Sequence, residues 1–164
     1  VVGLAVHNRE KREAKMSTAI EKIGELFDGI ENAQSSGAGR YIVPGNYLAT
    51  VQEIKTFESQ QHAGRHYFCV EIKVDEYHGS EMVGEGETLT WLVDLSKQAA
   101  LGNIREFVEA LNPDVPLDGP EAKLVVAELC GPDQPASGMP VRCTALMITT
   151  KAGNPFTKVR FSAA

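Results

Sequence analysis

Hydrophobic positions recur along this chain with two different periods, and the change of period divides it. Met16, Ile20, Ile23 and Phe27 recur at helical spacing, and Thr18 with Glu21 fits a capping box. These residues predict an amphipathic helix over residues 16–27. Residues 7–15 (HNREKREAK) ahead of it are helix-forming and highly charged, and Met16 reads as an alternative start that would make residues 1–15 an extension. Residues 32–40 (NAQSSGAGR) have the composition of a flexible linker. From Tyr41 the period falls to two. Residues 46–57 (NYLATVQEIKTF) alternate with a slip between Val51 and Ile54, the signature of a bulge. Residues 60–65 form a loop. Residues 66–74 (HYFCVEIKV) then place Phe68, Val70, Ile72 and Val74 on one face and Tyr67, Cys69, Glu71 and Lys73 on the other.

Residues 75–87 hold five acids, three glycines and no Lys or Arg, which predicts an exposed acidic loop. Residues 88–95 (TLTWLVDL) make a third strand containing the single Trp. Ser96 is placed to cap a helix running to Leu111, with Leu101, Ile104, Val108 and Leu111 as its buried stripe and Asn112-Pro113 as its stop. Residues 122–129 read as a short apolar strand and residues 130–138 as a Pro/Gly loop. Residues 140–149 and 156–161 form a closing hairpin around the turn chemistry of Lys151-Ala152-Gly153-Asn154. The order is three strands, a helix, two strands and one extra strand. That predicts a mainly β fold with α, an OB-fold-like barrel over residues 41–164, preceded by a leader of residues 1–40.

Composition changes this picture in two places. Hydrophobic content of 43% and charged content of 23% in 164 residues are values of a globular domain with a real core. No apolar run approaches membrane-spanning length and no secretory segment is visible, so the expected setting is cytoplasmic and membrane-free. Cys69, Cys130 and Cys143 lack the spacing of a disulfide framework or zinc site, and Gly64 between His62 and His66 argues against a helical metal pair. The acidic loop does not follow the alternating ligands of an EF-hand. With no phosphate loop and no nucleophile elbow either, neither a cofactor nor catalysis is expected. Charge carries the second change. The formal net charge is −6, yet residues 138–164 contain Arg142, Lys151, Lys158 and Arg160 and no Asp or Glu. A polyanion responds to the local field, so such a segment can attract a phosphate backbone within an acidic chain.

A groove for a single strand needs cations along its length and aromatic faces on which bases stack. The candidate cations are Lys55, Arg65, Lys73, Arg142, Lys151, Lys158 and Arg160. The candidate stackers are Phe57, Tyr67, Phe156 and Trp91, with Trp91 better read as core. Tyr67 shares a predicted face with Lys73, and Phe156 with Lys158 and Arg160, because residues two apart in a strand point the same way. Phe161 falls on the opposite, core-facing side. Glu53 and Glu71 stand beside Lys55 and Lys73, where cross-strand ion pairs would occupy those cations without any ligand.

Three patches resemble small phage OB-fold proteins that bind single-stranded DNA, including replication-associated ones. They are Val43-Pro44-Gly45-Asn46-Tyr47, Tyr67-Phe68-Cys69-Val70-Glu71 and Lys151-Ala152-Gly153-Asn154-Pro155-Phe156-Thr157-Lys158-Val159. The resemblance covers residues 41–162 and implies non-catalytic binding of single-stranded DNA in phage replication or recombination. One departure stands out: many such phage proteins end in an acidic tail that recruits partners, and the last seven residues here contain no acid. The alternative expectation is a virion, tail or assembly protein on the same barrel, self-associating or docking through the helix over residues 16–27.

Overall fold

The computed structural model describes residues 18–23, 25 and 39–164. The chain divides into two compact units, Val1–Ser36 and Gly37–Ala164. In the first, residues 18–23 and 25 are helical (α1), with Ile20 and Ile23 exposed at 63% and 57%. Met16, Phe27, residues 7–15 and residues 32–38 of the expected linker lie outside the described residues.

The second unit is built from strands β1 (Arg40–Tyr41), β2 (Gly45–Glu58), β3 (His66–His78) and β4 (Thr88–Asp94). Helices α2 (Ala100–Leu111) and α3 (Ala122–Leu129) follow, then strands β5 (Pro140–Thr149) and β6 (Pro155–Ala163). They form one six-stranded sheet in the order β1-β4-β3-β2-β5-β6. The β1–β4 pairing is parallel and the others are antiparallel. This is a mainly β, OB-like half-barrel. Two irregularities in the β2–β3 register, at Leu48/Ala49 and Val51/Glu53, let the long central strands bend, and the second is the expected phase slip. The curl brings opposite parts of the sheet together. Trp91 of β4 meets Phe161 of β6 at 4.7 Å between ring centroids, and Phe107 of α2 contacts both, at 5.6 and 4.8 Å. No strand pairing joins β4 to β6; α2 packs against β4, β5 and β6 and so stops that side of the barrel.

The interior alternates as a pleated sheet requires. Tyr47, Ala49, Val51 and Ile54 of β2, Phe68, Val70, Ile72 and Val74 of β3, and Val141, Cys143 and Ala145 of β5 are all buried there. Past Thr50, β2 loses its β5 partner, and the loop before β5 completes the ladder. Val51 N–H donates to the Met139 carbonyl at 2.9 Å, and Gly138 N–H donates to the Val51 carbonyl at 2.8 Å. The side-chain amide of Gln134 then accepts from Ile54 N–H and donates to the Ile54 carbonyl, both at 2.8 Å.

Three expectations are corrected. Residues 122–129 form a helix, not a strand. Ala122, Val125, Val126 and Leu129 fall at i, i+3, i+4 and i+7 and make one half-buried helical face against the core. Ser96 does not cap α2; its N–H and hydroxyl both donate to Asp94 Oδ1, at 2.9 and 2.7 Å, in a turn that delays the helix to Ala100. The buried face of α2 then rotates to Ala100, Ile104, Phe107, Val108 and Leu111, which leaves Leu101 exposed at 74%. Lastly, the expected acidic loop begins later, because β3 continues through Asp75–His78 against Asn46, Tyr47 and Leu48.

Candidate functional site

The β5–β6 hairpin grows out of the core as a free ribbon. Up to Ala145 strand β5 alternates buried and exposed; from Leu146 to Thr149 every residue is exposed. Register places Leu146 opposite Lys158 and Ile148 opposite Phe156, on the face that also carries Arg142 and Arg160, while Val159 and Phe161 turn inward. The turn is closed by Thr150 N–H to the Asn154 carbonyl and Gly153 N–H to the Thr150 carbonyl, both 2.8 Å. Gly153 supplies the positive φ of 83° that this turn needs. One ribbon face therefore mixes cations with exposed apolar side chains.

Between this ribbon, the end of β4 and the start of α2 lies a groove of about 420 Å³. Tyr41, Tyr67, Trp91, Lys97, Asn103 and Phe156 are among its walls. Tyr67 is braced from behind by Phe57, its register partner on β2, at 5.5 Å with the rings inclined by 25°. Trp91 is almost wholly buried and belongs to the floor and the core together. The hydrogen bond from Ile42 N–H to the Thr90 carbonyl, 3.0 Å, is the last β1–β4 rung, so the edge of β4 at Leu92 opens into the groove.

Asp94 is the one carboxylate in the groove wall. The Ser96 hydroxyl and then the Ser96 N–H hold its carboxyl below the usual range, with the Arg65 and Lys97 charges adding to the effect, so it is ionised at neutral pH. The aromatic surfaces are left for flat apolar groups, while Lys97 and the ribbon provide the positive side.

The predicted cations fall into two sets. Arg160 donates from Nε and an Nη to the two carboxylate oxygens of Glu106, each 3.2 Å, and pins β6 to α2. Lys55 lies 3.2 Å from Glu71 and 4.0 Å from Glu53. Burial pulls the Lys55 pKa down, but the hydrogen bond to Glu71 and the two carboxylate charges outweigh it and leave it raised. Arg65 stands 3.7 Å from Asp94. Among the described residues, Lys73, Arg142, Lys151 and Lys158 form no ion pair and are exposed.

The structure thus brings Tyr67 and Phe156 to one groove, with Phe57 behind Tyr67 and Lys151, Lys158 and Arg142 on the adjoining ribbon. Lys73 sits apart on the outer face of β3. Sequence reasoning missed Tyr41, Lys97 and the exposed run Leu146-Met147-Ile148. Three consecutive apolar residues break the period of two, and next to a hairpin turn that break is the available signal for a ribbon wet on both faces. Among the described residues no group of three His, Cys, Asp or Glu is placed to hold a metal ion, and no helix is long and apolar enough to cross a membrane. No protein-family model matches the chain, and no curated protein matches it either.

Proposed function

We propose that this protein binds single-stranded DNA without catalysis, as in phage replication or recombination, with bases in the Tyr67–Phe156 groove and phosphates along the β5–β6 ribbon. The observation that carries the reading is the meeting of two aromatic side chains from distant strands in one groove, beside a ribbon on which Arg142, Lys151 and Lys158 form no ion pair among the described residues. Base–aromatic stacking is worth about 1–3 kcal/mol per base, so the two rings supply part of the affinity and counterion release at the ribbon supplies the rest. The test is fluorescence anisotropy of labelled oligothymidylate at low and moderate salt. Salt-sensitive binding is expected, with weak affinity for duplex, and Tyr67→Ala and Phe156→Ala should each weaken it by about 1–3 kcal/mol. Absence of binding at low salt overturns the reading.

A second reading has its own observation: Ile20 and Ile23 of α1 are exposed, as a helix that docks on a partner would leave them. In that reading the chain is a virion, tail or assembly component. Light scattering of the full chain against a chain starting at Gly39 tests it, with a lower oligomeric state expected on deletion and an unchanged one excluding homomeric docking through α1.

A further inference from the structure

Helix α3 is apolar over most of its length, yet none of its eight residues is fully buried. Beneath it is a cavity of about 700 Å³, shared with α2 and the barrel end where β2 and β3 meet. Its walls include Phe68, Leu95, Leu101, Ile104, Leu117 and Val126. Leu101, which the buried face of α2 leaves exposed, is one of these walls. The volume falls within the roughly 300–1,000 Å³ of sites that hold small molecules, and such sites are apolar with a few polar groups.

Charge at the cavity narrows the class of ligand. Two cations line it, Arg105 and Lys123. Arg105 is already neutralised by Glu109 at 2.6 Å and Asp118 at 3.2 Å. Among the described residues Lys123 has no carboxylate partner, and it sits exposed on the first turn of α3. We propose that this cavity binds a single-chain amphiphile with one negative charge, a medium-chain fatty acid, its tail among the apolar walls and its carboxylate at Lys123. None of the walls of this cavity lines the Tyr67–Phe156 groove, so the site stands or falls independently of nucleic-acid binding.

The test is calorimetric titration of the full chain with dodecanoate below its micellar concentration, and with dodecylammonium as the same tail under the opposite charge. Saturable one-to-one binding of dodecanoate is expected, with dodecylammonium much weaker. Lys123→Glu, an exposed substitution that leaves the fold intact, should weaken dodecanoate by about tenfold or more, the ratio expected when one favourable charge contact becomes repulsive. Ala127→Phe should fill the cavity and abolish binding while the folded state persists. Three results would overturn the proposal: no saturable heat with dodecanoate, equal binding of the two amphiphiles, or unchanged affinity in Lys123→Glu.

Discussion

Cys143 points into the barrel from β5, and burial pushes its thiol up to about 12 from an ordinary 9.0. Cys69 on β3 is pushed to about 11, chiefly by burial, with the Glu71 and Glu53 charges adding and Lys55 opposing. Between pH 9 and these values the unfolded chain has released protons that the folded chain keeps. Stability is therefore complete below pH 9 and falls as pH rises, by about 1.4 kcal/mol per pH unit for each thiol. Burial also raises the Cys130 thiol and, above 10, Tyr41 and Tyr47, so between pH 9 and 10 the thiols supply most of the slope and the tyrosines enter as pH 10 is reached. Urea unfolding at pH 8, 9 and 10 should show this slope in the native chain and lose most of it in a Cys69→Ser/Cys143→Ala double variant, whatever that variant's absolute stability. An equal slope in both would mean the thiols are not the titrating groups. The fate of the cations was not legible along the chain: Arg160 and Lys158 look alike there, and only the fold brings Glu106 to the first and leaves the second free.

At the level of elements, the irregular stretch of β2 is held by one side chain acting as a strand. Gln134 reads both backbone groups of buried Ile54 and donates further to the Gly131 carbonyl at 2.9 Å. To do so it adopts a φ of 43°, which side chains other than glycine take at a cost. Gln134→Ala should destabilise the protein by about 1–3 kcal/mol, the penalty for leaving a buried donor and acceptor unpaired. Gln134→Gly separates the two effects, since it relaxes the backbone and still removes the clasp. We expect the Gly variant to remain less stable than the native chain in chemical denaturation; a neutral or stabilised Gly variant would mean that relief of strain outweighs the clasp. The bulge that creates this need was visible in the phase slip after Val51, whereas Gln134, eighty residues away, was not. Residues 122–129 were misread because Val125-Val126 favour strands and an eight-residue apolar run fits either period. Their helical face became evident only with a barrel end for it to cover. The β5–β6 hairpin was legible because turn chemistry and alternation are local signals, but how far it stands out from the core is a property of the whole sheet.

Over the whole molecule, the proposed strand meets an acidic chain, and the basic region that the described residues offer it is the β5–β6 ribbon with Lys97. The formal net charge is −6, and the carboxylates at Asp94, Glu53, Glu71 and Glu106 neutralise Arg65, Lys55 and Arg160 internally. Only cations without such partners release counterions on binding. Lys97 in the groove with Arg142, Lys151 and Lys158 on the ribbon are the set the geometry offers, and four phosphate contacts on a single strand give a slope of log affinity against log salt of about −3. Lys151→Glu and Lys158→Glu should each make that slope shallower by about 0.7 or more, because each removes a counterion-releasing contact. Lys55→Ala should leave it unchanged, since its charge is already spent on Glu71. Arg160→Ala should act through the β6–α2 contact, lowering thermal stability while barely moving the slope. A slope near zero in the native chain, or equal effects of Lys55→Ala and Lys158→Glu, would place the strand elsewhere than on the ribbon.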